Sequence, residues 1–334
     1  MSKLTLVCHA WMDDENYGDH IATRELKAFV RIANDNVERD VIAIDPIECS
    51  RYVTLHDFHD EKFDIVIFWS KELDPSVRAA ARRAERAFVV IPDPNWPTDV
   101  DLDRDFTLVT PFERFDGESV DHATSVLSDY DIKTNGATES VFLPFGEMAL
   151  HDPRYMRDFT TAPEPKPSRI PMFRATAEYA YAGSLKKDRA KMMANYAAIG
   201  DCDLFGRFTP NDLKPYYDEK FGSFDNLSKH VFGHVAPMSV WRVYDVHDGA
   251  IVVSDPAMTR LRTHYMRPLE YALAGVKLKF VGENESDIVD DKNYYESRII
   301  DDNTGRASLS KMRASYDMDF ICLLYTSDAA DERS

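Results

Sequence analysis

Apolar residues fall in short β-branched runs, and between the runs lie stretches with a helical period. The two alternate along most of the chain. Such alternation marks β-α-β units that feed a parallel sheet, because parallel strands need a crossover of helical length between them. Leu4–His9 reads as a buried strand. Thr23–Ala33 reads as a helix, with Leu26, Phe29, Val30 and Ala33 on one face. Asp40–Ile44 is a second strand. Phe63–Trp69 (FDIVIFW) is apolar at nearly every position, as a strand covered on both faces must be. Pro75–Arg86 has Pro at its start and alanines through its body, which predicts a helix. Ala87–Ile91, Phe106–Pro111 and Val141–Pro144 read as further strands.

Thr160–Pro171 breaks the pattern. It holds Pro163, Pro165, Pro167 and Pro171 without periodicity and reads as a linker. The pattern then restarts. Glu178–Gly183 is a strand, Asp188–Ile199 a helix, and Asp203–Gly206 and His230–Phe232 are short strands. Met238–Asp245 is a helix, Ala250–Ser254 a strand, His264–Ala274 a helix and Val276–Val281 a strand. The expected fold is α/β with two Rossmann-like domains facing a central cleft. The N-terminal domain is expected over 1–165 and the C-terminal domain over 172–321. Cys322–Glu332 (CLLYTSDAADE) has the look of a translated sequencing-library adapter, so 322–334 is set aside and the second domain is expected to be truncated.

Composition narrows the function. The 334 residues hold 40 Lys and Arg against 58 Asp and Glu, a formal charge of −18. That balance opposes a generic nucleic-acid coat, which needs clustered cations to neutralise phosphates, but leaves room for a local basic surface. A hydrophobic content of 44% is too high for a disordered chain. No apolar run approaches the ~18 residues of a membrane span and no signal peptide opens the chain, so a soluble cytoplasmic protein is expected. The four Cys lack CxxC spacing, which argues against a thiolate zinc site.

Two segments of the second half carry chemistry. In Tyr181-Ala-Gly-Ser-Leu-Lys-Lys-Asp-Arg189 a strand meets a small-residue turn and then a basic helix start. Gly183 and Ser184 let backbone approach a ligand, the helix start offers free N–H groups, and Lys186 and Arg189 add charge. That set suits an anion such as a diphosphate, and the alternative is a solvated helix start. The stretch has no GxGxxG or Walker pattern. In the second segment, Arg267 and Glu270 lie three apart around Pro268, so they share one side of a first helical turn. An arginine fork suits a phosphate, and a carboxylate one turn on accepts ribose hydroxyls. The alternative is a plain ion pair worth ~0.3 kcal/mol. Together the two segments bracket one nucleotide at the carboxyl ends of adjacent strands, where open α/β sheets bind ligands.

The order YAGSLKKDRAKMM, DLFGRF, VFGHVAPMSVWRVY, AIVVSD and THYMRPLEYALAGVKLKFVG resembles the GT-B glycosyltransferases, in particular the DNA β-glucosyltransferases of T-even phages. The likeness covers 178–282 well and the first half loosely. It implies that Gly183, Ser184, Lys186 and Arg189 form the donor diphosphate loop, which is shorter here, with Lys186 where the family has an arginine. It implies that Arg267 holds the donor diphosphate and Glu270 the donor ribose, and that Val235-Ala236-Pro237-Met238 lies beside the nucleobase. Asp93 falls where the family has its catalytic aspartate, and Glu25 near a glutamate on the donor sugar, with Glu15 and Asp19 as neighbouring alternatives.

By the same resemblance the co-substrate is a UDP-sugar. No cofactor is tightly bound and no divalent metal is required. The expected reaction is transfer of glucose or a related sugar, with inversion, to 5-hydroxymethylcytosine in double-stranded phage DNA, and the protein is expected to be a monomer.

The residues around Asp93 suit that role. Pro92, Pro94 and Pro97 restrict the backbone beside it. Asp99, Asp101, Asp103 and Asp105 alternate and read as a solvated acidic loop, without the Gly of a calcium loop. Arg78, Arg82 and Arg86 at i, i+4 and i+8 form a candidate DNA-facing stripe on one helix. Trp96 is either a stacking wedge or a core anchor. Two rivals remain open: a GT-B enzyme with a polysaccharide or small-molecule acceptor, which the acidic balance favours, and a non-catalytic nucleotide-sugar-binding module.

Overall fold

The structure is a computed structural model. It describes residues 5–8, 65–69, 75–91, 98–112, 132–142, 174–185, 187–235, 240–254, 256–261 and 267–315. The predicted elements Thr23–Ala33 and Asp40–Ile44, the proline-rich stretch and the tail from 322 lie outside the described residues. The chain divides into two compact units, one mainly Met1–Asp152 and the other mainly Pro153–Thr259 with Met266–Tyr316.

Among the described residues the first unit holds a parallel sheet of five strands in sequential order. These are β1 (Thr5–Cys8), β2 (Ile65–Trp69), β3 (Arg86–Val90), β4 (Thr98–Thr110) and β5 (Ile132–Phe142). Val66, Val89, Leu102, Leu108 and Phe112 are buried around it. Helix α1 (Pro75–Arg83) joins β2 to β3. It stops three residues short of the expected end, and Arg86 opens β3 instead. The cause comes from elsewhere in the chain. Arg104, on β4, donates to the carbonyls of Ala81 (3.2 Å), Ala84 and Glu85 (2.9 Å) and so satisfies acceptors that the helix end leaves open.

The proposed arginine stripe is therefore corrected, because Arg78 and Arg82 lie on α1 and Arg86 does not. Strand β4 is also longer than expected. It takes in the alternating acids, with Asp101, Asp103 and Asp105 exposed and Asp103 paired to Arg82 at 2.7 Å.

The second unit holds another parallel sheet of five strands. They are β6 (Tyr179–Ala182), β7 (Cys202–Phe205), β8 (Val231–Gly233), β9 (Gly249–Ser254) and β10 (Lys277–Gly282). Their order across the sheet is β10-β9-β6-β7-β8. The chain starts at the centre, winds outward to β8, then returns to the other side of β6 for β9 and β10. Helix α2 (Lys187–Ile199) covers the sheet with Ala190, Met193, Ala194, Ala197 and Ala198, packed against Cys202, Leu204 and Ile251. Four short helices are α3 (Pro210–Leu213), α4 (Phe224–Lys229), α5 (Val240–Asp245) and α6 (Pro256–Leu261). Helices α7 (Arg267–Ala274), α8 (Glu285–Arg298) and α9 (Leu309–Ser315) complete the described part of the unit. The strand order reverses between β6 and β9, and such a reversal opens a crevice at the carboxyl ends of the two strands.

The opposite end of this sheet is tied by one carboxylate. Asp203, fully buried on β7, accepts from Thr176 Oγ1 (2.6 Å), Thr176 N (2.7 Å) and Ala177 N (3.2 Å). It also accepts from His230 Nδ1 (2.8 Å) and His247 Nε2 (3.0 Å). The other ring nitrogen of His247 lies 2.6 Å from the Val243 carbonyl, so the ring meets two acceptors. These partners precede β6, β8 and β9, and one side chain thus sets the entry to three strands.

Burial alone pushes the Asp203 carboxyl up. The hydrogen bonds from His247, Thr176 and His230 outweigh it and hold the group well below the usual carboxylate range. A depressed pKa gives stability that is full above the ordinary Asp value of about 3.9 and is lost as pH falls through the acid range. Asp203→Ala should cost about 3–5 kcal/mol at neutral pH, because it strands the histidines. It should also flatten the loss of stability below about pH 4. Urea unfolding at several pH values checks both, and a cost under about 1 kcal/mol would contradict the account.

Candidate functional site

The turns that leave the carboxyl ends of the second sheet's strands stand where such a crevice is expected. Gly183 comes directly after β6 and donates its N–H to Phe205 O at 2.9 Å. Gly206 comes directly after β7 and donates to Gly233 O at 2.8 Å. Side chains do not fit between these turns. A Cβ on Gly206 would run into the Gly183 carbonyl and the Phe208 ring. A Cβ on Gly183 would lie 3.1 Å from Arg267 Nη2 and 3.1 Å from Tyr181 Oη. The rim is thus made of bare backbone with an arginine directly over it.

That arginine opens α7, reached from β9 through α6. Arg267 Nη1 donates to Glu270 Oε2 at 2.5 Å and to Tyr244 Oη at 3.4 Å. Glu270 is fully buried and Arg267 is 27% exposed, so the cation keeps a face to solvent while its counter-charge does not. Tyr244 is wholly buried and meets Tyr271 edge-on, with ring centroids 5.0 Å apart. Burial opposes the charge on Arg267, but Glu270 beside it holds the guanidinium above its ordinary value. Among the described residues Glu270 Oε1 is buried and accepts no hydrogen bond. A buried acceptor left open costs free energy unless a ligand or water fills it.

Arg189 stands in the first turn of α2, its Nη1 donating to Tyr181 Oη at 3.3 Å. The same hydroxyl donates to Ser184 O at 2.9 Å. The structure therefore brings Gly183, Ser184 and Arg189 together with Arg267 and Glu270 at one end of one sheet. Val235 is buried just beyond β8. Lys186, Met238, Asp93, Glu25 and Trp96 lie outside the described residues, as does the side chain of Arg78. Arg82 is held by Asp103, and the Arg86 guanidinium lies 5.0 Å from the centre of the Phe88 ring. Tyr181 and Tyr244 were not among the expected site residues. Each sits in an apolar pattern that reads as core, and only the phenol oxygen hints at more.

The fold has counterparts among solved structures. T4 phage BGT in complex with its substrate UDP-glucose superposes with a TM-score of 0.54 at 13% identity, over 99% of this chain and 98% of that one. A single-site mutant of T4 phage BGT with UDP-glucose gives 0.54 at 12% identity, over 99% of both chains. The DNA-modifying enzyme beta-glucosyltransferase, solved with and without uridine diphosphoglucose, gives 0.54 at 12% over 98% of each. The chain has the GT-B fold. No protein-family model and no curated protein sequence matches it. Within the GT-B fold, the site belongs to the second unit. No described helix is long and apolar enough to cross a membrane.

Burial pushes the Glu270 carboxyl up to about 7, with the Arg267 charge pulling the other way. A folded pKa above the ordinary value of about 4.3 gives stability that is full below that value and lost as pH rises through the folded pKa. Without ligand, the wild type should lose stability relative to Glu270→Gln between about pH 4 and pH 8. Melting temperatures of both proteins across that range test this, and a constant difference would contradict it.

Proposed function

We propose that the protein is an inverting glycosyltransferase that moves glucose from UDP-glucose to 5-hydroxymethylcytosine in DNA. One observation carries the donor half of this reading. Arg267 lies over the bare Gly183 turn, with a buried and open carboxylate oxygen on Glu270 beside it. A cation over free backbone suits a diphosphate, and an acceptor one helical turn away suits a ribose hydroxyl. The GT-B fold, and the UDP-glucose held by its structural neighbours, support the same donor.

In this reading Arg189, Arg267, Lys186 and the start of α2 face the leaving diphosphate, whose negative charge grows as the glycosidic bond breaks. That stabilisation is what a divalent metal would otherwise supply. Glu270 Oε1 accepts from the ribose, Val235 and Met238 lie beside the base, and Glu25 meets the sugar. The acceptor hydroxyl oxygen attacks the anomeric carbon from the side opposite the diphosphate. The new C–O bond forms as the bond to the β-phosphate oxygen breaks, and the hydroxyl proton passes to the Asp93 carboxylate. Displacement from the far side inverts the anomeric configuration.

A second acceptor class is favoured by one observation, the formal charge of −18. A DNA enzyme with that balance needs strong local asymmetry, whereas a GT-B enzyme acting on a polysaccharide or small molecule does not.

Labelled UDP-glucose incubated with hydroxymethylcytosine DNA should leave label on the DNA. Label released only as free glucose, or transferred only to a carbohydrate acceptor, would overturn the DNA assignment. In the productive assay Asp93→Asn should lower turnover by about 10²- to 10⁴-fold with donor affinity intact. Undiminished turnover would remove Asp93 from the chemistry.

A further inference from the structure

We propose that Tyr181 is the positioning residue of the diphosphate site, its single hydroxyl holding the Gly183–Leu185 turn and the Arg189 guanidinium in register before the ligand arrives. The proposal rests on the reading that this turn and Arg189 receive a diphosphate.

The phenol oxygen meets two parts of the site at once. It donates its one hydrogen to Ser184 O at 2.9 Å, closing the turn three residues downstream. Its lone pairs remain, and they accept from Arg189 Nη1 at 3.3 Å. The same oxygen lies 3.1 Å from where a Cβ on Gly183 would stand, and Arg267 Nη2 is equally far from that point. The turn and the α2 arginine therefore meet at this oxygen, and the α7 arginine borders the same glycine.

The ring explains why a tyrosine suits this place. It is 7% exposed and belongs to the core cluster with Ala190, Met193, Ala194 and Ile251. A ring wedged in a core has two torsions and little freedom, so its hydroxyl is a fixed point. Arg189 has a long stem, and ordering it only when ligand binds would cost entropy. A fixed acceptor contributes to ordering it in advance, which raises affinity without a new ligand contact. Tyr181 itself touches no ligand in this scheme. It acts through Arg189 and the turn.

Calorimetric titration of the full chain with UDP and with uridine tests this, since uridine shares the base and ribose but lacks the diphosphate. Tyr181→Phe keeps the ring and should weaken UDP about tenfold while leaving uridine affinity unchanged. The loss should be smaller when Tyr181→Phe is made in an Arg189→Ala background, because part of its effect runs through that arginine. Gly183→Ala, which presses a methyl against Tyr181 Oη and Arg267 Nη2, acts on the turn directly and should also weaken UDP selectively. Equal weakening of UDP and uridine would mark Tyr181 as merely structural and overturn the proposal. So would unchanged UDP affinity, or full additivity with Arg189→Ala. Failure of the unsubstituted protein to bind UDP would instead overturn the reading of the site itself, and is seen before any substitution is made.

Discussion

The Arg267–Glu270 pair takes a carboxylate out of water at the one place where the strand order of the second sheet reverses. Removing charges from water costs several kcal/mol per ion in folded proteins, and a buried pair often stabilises no better than apolar packing of the same size. A fold that needed only a lid on β6 and β9 would be served by leucines. The pair is instead surrounded by buried tyrosines, leaves one carboxylate oxygen open, and presents the cation to a turn stripped of side chains. The open carboxylate oxygen costs stability unless a ligand or water fills it, and a ligand that is anionic and carries hydroxyl groups would suit both members of the pair.

The two ends of that sheet divide the work. At the entry end, Asp203 is fully satisfied by Thr176, Ala177, His230 and His247, and the strands it ties begin in fixed positions. At the exit end, polar groups are ordered but not all satisfied. A rigid entry lets the exit turns hold their places without packing of their own, because short parallel strands carry that order along their length. The small side chains of α2 serve the same purpose. Ala190, Ala194, Ala197 and Ala198 bring the helix close to the sheet, and its first turn places Arg189 at the rim.

Much of this was legible in the sequence, for physical reasons. Buried parallel strands must be apolar on both faces, so FDIVIFW and AIVVSD declared themselves. Pro268 marked the first turn of α7, and the spacing of Arg267 and Glu270 placed both on it. What escaped depends on distant partners. The end of α1 is set by Arg104, about twenty positions downstream, and no local signal at Arg83 marks it. Half of β4 hides behind exposed acids, because alternation of Asp with Val and Leu reads as a loop unless the other face is known to be covered. Helix α8 holds few apolar residues among its fourteen and carries no clear stripe. Tyr181 and Tyr244 look like core and are core, and only the direction of their oxygens gives them a further part.

The central question is where a nucleoside diphosphate sits on the second unit. A crystal structure with UDP would decide it. The diphosphate should lie against the backbone of Gly183–Leu185 within hydrogen-bonding reach of Arg189 and Arg267, with a ribose hydroxyl on Glu270 Oε1. UDP found elsewhere on the chain, or a crevice that stays empty at saturating UDP, would contradict it.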